Sequence, residues 1–171
     1  MSKHNYITTI AGAKAVGRDL PISTKHSVVV CTFIRGKDVQ LAKQLLKEVI
    51  ALKRPVPYKQ YNWDLGHKRG MTAGRYPIKT SAAILKVLES AEINAQFKGM
   101  NTAHLRIAHV AAHGASRPYH ASRHRGHHMK RTHVECILQE YKVTEKTRKT
   151  EKKTEAQQAH KTEKNVKSDK K

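Results

Sequence analysis

From Leu65 to Leu88, and again from Ile93 to Val134, the chain contains not one Asp or Glu. No other feature constrains its folding as strongly. A solvated protein face normally intersperses both signs, and a surface of one sign repels itself unless something anionic neutralises it. The bias runs through the whole chain, where 34 Lys and Arg stand against 13 Asp and Glu in 171 residues, a formal net charge of +21. Hydrophobic residues make up only 38%, so the core is thin, enough for one domain and an appendage rather than two domains. A free-standing inert monomer is close to excluded. An enzyme for acidic substrates, a membrane-surface protein and a nucleic-acid binder remain, and the last leads.

The charge is unevenly placed. Residues 113–133 carry five Lys and Arg and no acid, whereas 79–98 balance three basic residues against two acidic ones. Residues 142–171 hold 11 basic and 5 acidic residues and no aromatic after Tyr141. That tail cannot bury enough to offset its ordering entropy, so alone it is expected to be disordered or a frayed helix, ordered only on RNA. The expected organisation is an N-terminal extension over 1–15, a folded domain over 16–141 and a basic tail over 142–171. No apolar run approaches 18 residues, so membrane insertion is not expected. The N-terminal MSKHNYITTI lacks a signal-peptide layout. Cys31 and Cys136 both stand in apolar runs and read as reduced core thiols rather than a disulfide.

Periodicity predicts some elements clearly. Residues 16–22 read as a weak edge strand because of Pro21. Val28–Ile34 is ambiguous: its β-branched run favours a strand, while Ser23 and Thr24 before it and Gly36 after it suit a helix. Asp38–Lys53 is a helix with Val39, Ala42, Leu45, Leu46, Val49 and Ile50 on one stripe. Another helix is expected from a Thr80/Ser81 cap to Lys98, burying Ile84, Leu88, Ala91 and Ala95, with Gly99 just past its end. Residues 104–112 and 133–141 read as two strands of a hairpin whose connecting arm, 113–132, is basic and His-rich.

Binding outweighs catalysis among the motifs. Eight of the 12 His lie between His104 and His133, but zinc sites need compact Cys/His pairs that this spacing does not supply. These His read instead as extra cations, stackers or hydrogen-bond donors to RNA. No Ser or Cys sits in a nucleophile elbow, and GHKRGMTAG (Gly66–Gly74) lacks phosphate-loop spacing. No catalytic residue, metal or cofactor is therefore expected. In the segment 54–79, Lys59, His67, Lys68, Arg69, Arg75 and Lys79 interleave with Tyr58, Tyr61, Trp63 and Tyr76. Cations reach phosphates and aromatic faces stack on exposed bases, so this mixture suits RNA. Trp63 and Tyr61 are expected to be partly structural as well. In the arm, Arg117, Arg123, Arg125, Lys130 and Arg131 have no aliphatic run beside them to build a core, and a hairpin this polar needs a partner to order it.

The segments IRGKDVQLAKQLLKEV (Ile34–Val49), VPYKQYN (Val56–Asn62), GRYPIKTSAAILKVLESAEINAQFKG (Gly74–Gly99) and HLRIAHVAAH (His104–His113) closely resemble the universal large-subunit ribosomal protein twenty-two family, protein seventeen in eukaryotic naming. The likeness covers about residues 16–140 in one register. The VPYKQYN…GRYP insertion looks like the archaeal and eukaryotic branch, and the lysine-rich tail looks eukaryotic. The resemblance implies an α+β fold of three helices packed on a small three-stranded antiparallel-type sheet, with a long protruding β-hairpin (about 104–140) and a basic C-terminal tail. It makes Val28–Ile34 helical. It implies a structural constituent of the large ribosomal subunit in the cytosolic ribosome, with nucleolar assembly, whose hairpin lines the peptide exit tunnel. Partners would be large-subunit rRNA, neighbouring large-subunit proteins and the nascent polypeptide.

Carried onto this chain, the family's RNA-facing positions fall on Ser23, Lys25, Arg35, Gly36 and Lys37, on Gly74, Arg75, Tyr76, Pro77 and Lys79, and on Arg123, Lys130 and Arg131. The arm departs from the family by being several residues shorter, with GASRPYH (Gly114–His120) where a basic cluster usually follows the first strand. Ser116, Arg117, Pro118, Tyr119 and His120 are the expected tunnel-facing residues. The reading from a different class is a nuclear DNA- or chromatin-binding protein, which would need a basic recognition helix; Asp38–Lys53 offers mainly Lys43 and Lys47. A His-dependent nuclease is a third.

Overall fold

The structure is a computed structural model that describes residues 10–141; the first nine residues of the expected extension and the tail 142–171 lie outside the described residues. Strand β1 (Ala13–Leu20) is followed by helices α1 (Thr24–Ile34) and α2 (Val39–Ile50). The two-residue strands β2 (Val56–Pro57) and β3 (Gly74–Arg75) then frame the insertion, and α3 (Ile78–Phe97) leads into β4 (Leu105–Gly114) and β5 (Thr132–Glu140). The main sheet is antiparallel with order β1-β5-β4, and β2 pairs with β3 in a separate two-stranded sheet. The fold is α+β, with three helices on a three-stranded sheet and a protruding hairpin, as the sequence indicates.

The main core lies between one sheet face and the helices. Ala13 and Ala15 of β1, Leu105, Ile107 and Val110 of β4, and Val134, Cys136 and Leu138 of β5 pack on Ile84, Leu88, Ala91 and Ala95 of α3. From the other side Val30, Cys31 and Ile34 of α1 and Val39, Ala42 and Leu46 of α2 complete it. A second, smaller core joins Val29 of α1 to Val49, Val56, Tyr58 and Ala73. Helix α1 is therefore buried on two sides, and a helix apolar nearly all round shows no single stripe. Tertiary packing outweighs the β-preference of its valines.

Several boundaries differ from expectation, among them those of β4, which runs on to Gly114, and β5, which starts at Thr132. The first strand starts at Ala13 and ends before Pro21, not at 16–22. Helix α2 ends at Ile50 rather than Lys53, with Arg54 Nε turned back to Glu48 Oε2 at 2.7 Å. Helix α3 begins at Ile78 behind Pro77, and both Thr80 and Ser81 are buried in its first turn instead of capping it. At its other end the amide of Gly99 (φ +70) donates to Gln96 O and that of Met100 to Ala95 O. This is a Schellman closure, which needs the left-handed conformation glycine adopts cheaply.

Both sheet edges are covered. The Gly36 amide donates to Ile107 O and the Ile107 amide to Lys37 O along β4. Arg35 Nη2 and Arg106 Nε add bonds to Val110 O and Gly36 O. On β1, Asn94 Nδ2 donates to Lys14 O and Lys98 Nζ to Gly12 O. Occupied edges are poor templates for pairing with another chain.

Candidate nucleic-acid interface

Three segments far apart in sequence meet at one cleft of about 480 Å³. Ser23, Thr24, Lys25 and His26 form its wall at the N-terminal turn of α1, the positive end of that helix dipole. The insertion supplies Tyr58, Tyr61, Trp63 and Arg75. The root of the arm supplies Arg117 and Lys130. Seven of the residues singled out in the sequence (Ser23, Lys25, Tyr61, Trp63, Arg75, Arg117 and Lys130) thus share one concavity, and none of its walls is acidic.

The aromatics divide their work differently from expectation. Tyr58, not Trp63, is the structural one: it is 4% exposed in the second core, whereas Tyr61 is 47% and Trp63 89% exposed. Pairing of β2 with β3 and the bond from the Tyr58 amide to Ala73 O pull Tyr58 inward. Tyr61 and Trp63 lie in the loop beyond that pairing, without a ladder to pull them in. Tyr61 holds a left-handed backbone, φ +55, a conformation costing a non-glycine residue about 1–2 kcal/mol. The Lys25 ammonium stands 5.6 Å from the centre of the Tyr61 ring.

Tyr58 and His26 form the polar part of the cleft. The Tyr58 hydroxyl and His26 Nδ1 share a short hydrogen bond, with the rings edge to face. Burial pushes the Tyr58 pKa up to about 12, against the opposing pull of Arg75. Burial also lowers the His26 pKa, and the charges of Arg75 and Lys130 lower it further. The phenol therefore keeps its proton, the imidazole is biased toward its neutral form, and the bond joins two neutral groups. The sequence reading named Tyr58 among the insertion's aromatics but did not single out Thr24 or His26 as binding residues. Thr24 and His26 flank Lys25 at a helix start, and the capping signal there was the clue.

Other expected residues lie elsewhere. Arg35 and Lys37 are at the opposite end of α1, about 15 Å away by helical rise, where Arg35 braces β4 and the Lys37 ammonium stands 6.0 Å from the Phe33 ring centre. Lys59 borders a hollow with Val29, Phe33 and Pro57. Lys79 borders one with Val16, Leu20 and Lys86. Lys68 stands 5.8 Å from the Tyr76 ring centre, and its neighbours His67 and Arg69 are exposed. Arg131 is turned back, donating from Nη1 to Asp19 O at 3.0 Å.

Residues 116–128 of the arm are all exposed. Ser116–His120 run up one side, and a short 3-10 turn at Ser122–His124 makes the tip. Arg123, Arg125 and His124 crowd that tip, where Arg123 Nε donates to His124 Nε2 at 3.3 Å. Among the described residues no group of three or more His, Cys, Asp or Glu is placed to hold an ion. Cys31 and Cys136 are buried free thiols. Helix α2 makes a poor DNA-recognition element, because Lys43 is paired with Glu92 of α3, which also accepts from Gln40.

Comparisons with known proteins find relatives over most of the chain. Large ribosomal subunit protein uL22 of Methanococcus aeolicus is 42% identical over 152 residues, covering 82% of this chain and 99% of that protein. The protein of the same name from Methanoculleus marisnigri is 42% identical over 118 residues, 66% of this chain and 77% of its own length. That of Methanosphaera stadtmanae is 48% identical over 103 residues, 58% of this chain and 67% of its own. The family model described as ribosomal protein L22p/L17e matches residues 15–139, from β1 through β5. The chain belongs to the ribosomal protein L22p/L17e family.

Proposed function

We propose that this chain is a non-catalytic structural constituent of the large ribosomal subunit that binds large-subunit rRNA through the cleft face and the basic arm. The observation that carries the reading is the convergence of Lys25, Arg75, Arg117 and Lys130 with exposed Tyr61 and Trp63 on one acid-free cleft. Cations there displace counterions from crowded phosphates, and unpacked ring faces remain for bases. The names of the archaeal relatives support the subunit assignment.

The arm extends the reading to the peptide exit tunnel. It contributes nothing to either core, and its exposed surface is polar and cationic, suited to a tunnel wall that must not hold a nascent polypeptide. Neighbouring large-subunit proteins are further partners, and the cytosolic ribosome is the site of action. Nucleolar assembly rests on the eukaryote-like tail alone.

The decisive experiment is co-sedimentation of the full chain with large subunits through a high-salt wash, together with a salt titration of rRNA binding. Binding should weaken steeply with salt, and Arg117→Ala with Lys130→Ala should lower the log–log slope by about two. Affinity indifferent to salt would refute the reading.

A further inference from the structure

We infer that the cleft between the start of α1, the insertion and the arm root is a receptor for one unpaired nucleotide swung out of an RNA helix, its base against Tyr61 and Trp63 and its phosphates against Lys25, Arg75, Arg117 and Lys130. The inference rests on the RNA-binding reading and deepens it, because neutralising phosphate alone requires no cleft and no aromatics.

Three observations carry it. First, Trp63 is the chain's only tryptophan and is 89% exposed, although an indole left in water forfeits a large apolar burial. Nothing in either core uses it, so its ring face is free at the rim. Second, Tyr61 is held beside it at φ +55. Strained backbone that aims a side chain into a cleft is typical of ligand sites. Third, the cleft also holds a polar pair that is not one of its cations: the Tyr58 hydroxyl and His26 Nδ1 share a hydrogen bond, and burial together with Arg75 and Lys130 disfavours the charged imidazole. A hydroxyl–imidazole pair of this kind suits a base edge, whereas the surrounding ammonium and guanidinium groups suit phosphate. A volume of about 480 Å³ is of the size that accommodates one nucleotide. A base in a paired stem cannot enter without leaving its stack, and an already unpaired base enters at little cost.

The test uses the full chain and three short RNA hairpins at salt high enough to suppress binding by the tail. One carries a single bulged adenosine in the stem, one is fully paired, and one carries an abasic bulge. Trp63 fluorescence reports directly on stacking. The bulged hairpin should bind about tenfold more tightly than the paired one, in line with the worth of one stacked base, and quench the indole. The abasic hairpin should match the paired one, and Trp63→Ala should abolish the tenfold difference between bulged and paired hairpins. Equal binding of bulged and paired hairpins, or an abasic bulge as good as an adenosine, would overturn the receptor and leave the RNA reading intact. Absence of salt-dependent binding to all three would remove the RNA reading and the receptor with it.

Discussion

Tyr119 and His128 face one another across the arm with ring centroids 3.9 Å apart, at the point where the two sides form an isolated β-bridge. Around this pair the His120 amide donates to His127 O and the Met129 amide to Pro118 O. The ring pair and the hydrogen bond between His128 Nδ1 and Arg117 O, at 2.9 Å, tie the two sides of the arm together. A ring contact of this kind is worth about 0.5–1.5 kcal/mol. Tyr119→Ala should speed hydrogen exchange at His120 and Met129 by about two- to tenfold. Domain stability should change by no more than about 0.5 kcal/mol, because the arm is exposed. Unchanged exchange at those two amides would show that the rings do not hold the arm.

The arm should also be dispensable for folding. Residues 115–131 supply no member of either core, while β4 and β5 pair along Leu105–Gly114 and Thr132–Glu140. Replacing 115–131 with an Asn-Gly turn, which favours tight antiparallel hairpins, should leave urea unfolding cooperative and its slope little changed. Loss of cooperativity would mean that the arm is part of the folding unit.

What could be read from the sequence follows from how each element is buried. Helix α2 has one buried stripe (Val39, Ala42, Leu45, Leu46, Val49) that was legible in the sequence, although Ile50 is only half-buried and the helix stops short of Lys53. Helix α1 divides Val29 and Val30 between two cores, so its pattern has no period and only the family resemblance identified it. Thr80 and Ser81 look like caps because small hydroxyl residues usually are, yet both are buried in the first turn of α3. In the cleft, residue types gave the chemistry, but the meeting of Ser23, Tyr61 and Lys130 depends on three chain segments that no local pattern relates. The exchange of roles between Tyr58 and Trp63 has the same origin: a loop without periodicity does not reveal which ring the short β2–β3 pairing draws inward.

Gly12 is required for close approach. A Cβ there would lie 2.1 Å from Leu138 O, a backbone atom of the central strand that cannot swing aside. Gly12→Ala should destabilise the domain by about 1–3 kcal/mol, the usual cost of overpacking. Gly126→Ala in the arm, with nothing within 4 Å of its Cβ position, should stay within about 0.5 kcal/mol. Equilibrium denaturation of the two variants side by side checks both, and equal stability would contradict the packing argument.

Cys31 and Cys136 should be chemically silent in the folded protein. Burial pushes each thiol pKa up to about 12; Arg35 opposes the shift at Cys31, and Cys31 adds to that at Cys136. The thiolate is the reactive form, so at pH 8 a maleimide should label neither residue until denaturant is added. Prompt labelling of the native chain would show that the core opens.

Nε2 of His109 and Nε2 of His113 each lie 3.1 Å from the same oxygen, Oε1 of Glu135, whose residue is 7% exposed. Burial by itself pushes this carboxyl pKa up. Hydrogen bonds from His113 and His109, reinforced by their charges, outweigh that and hold it below the ordinary carboxylate range. With its folded-state pKa depressed, the native protein binds fewer protons than the unfolded chain as acid is added. The stabilisation from Glu135 is therefore complete above the ordinary carboxylate pKa of about 4.3 and lost as pH falls through the lower folded-state value. Glu135→Gln keeps an oxygen able to accept from both histidines and removes the charge, so it should destabilise the domain at pH 7 by about 1–2 kcal/mol. As pH falls through the depressed folded-state value the stability curves of the two proteins should converge, since the native carboxylate is then neutralised as well. Urea unfolding from pH 7 down to pH 3 measures this. A gap that stays constant over the series would mean that Glu135 contributes packing rather than charge.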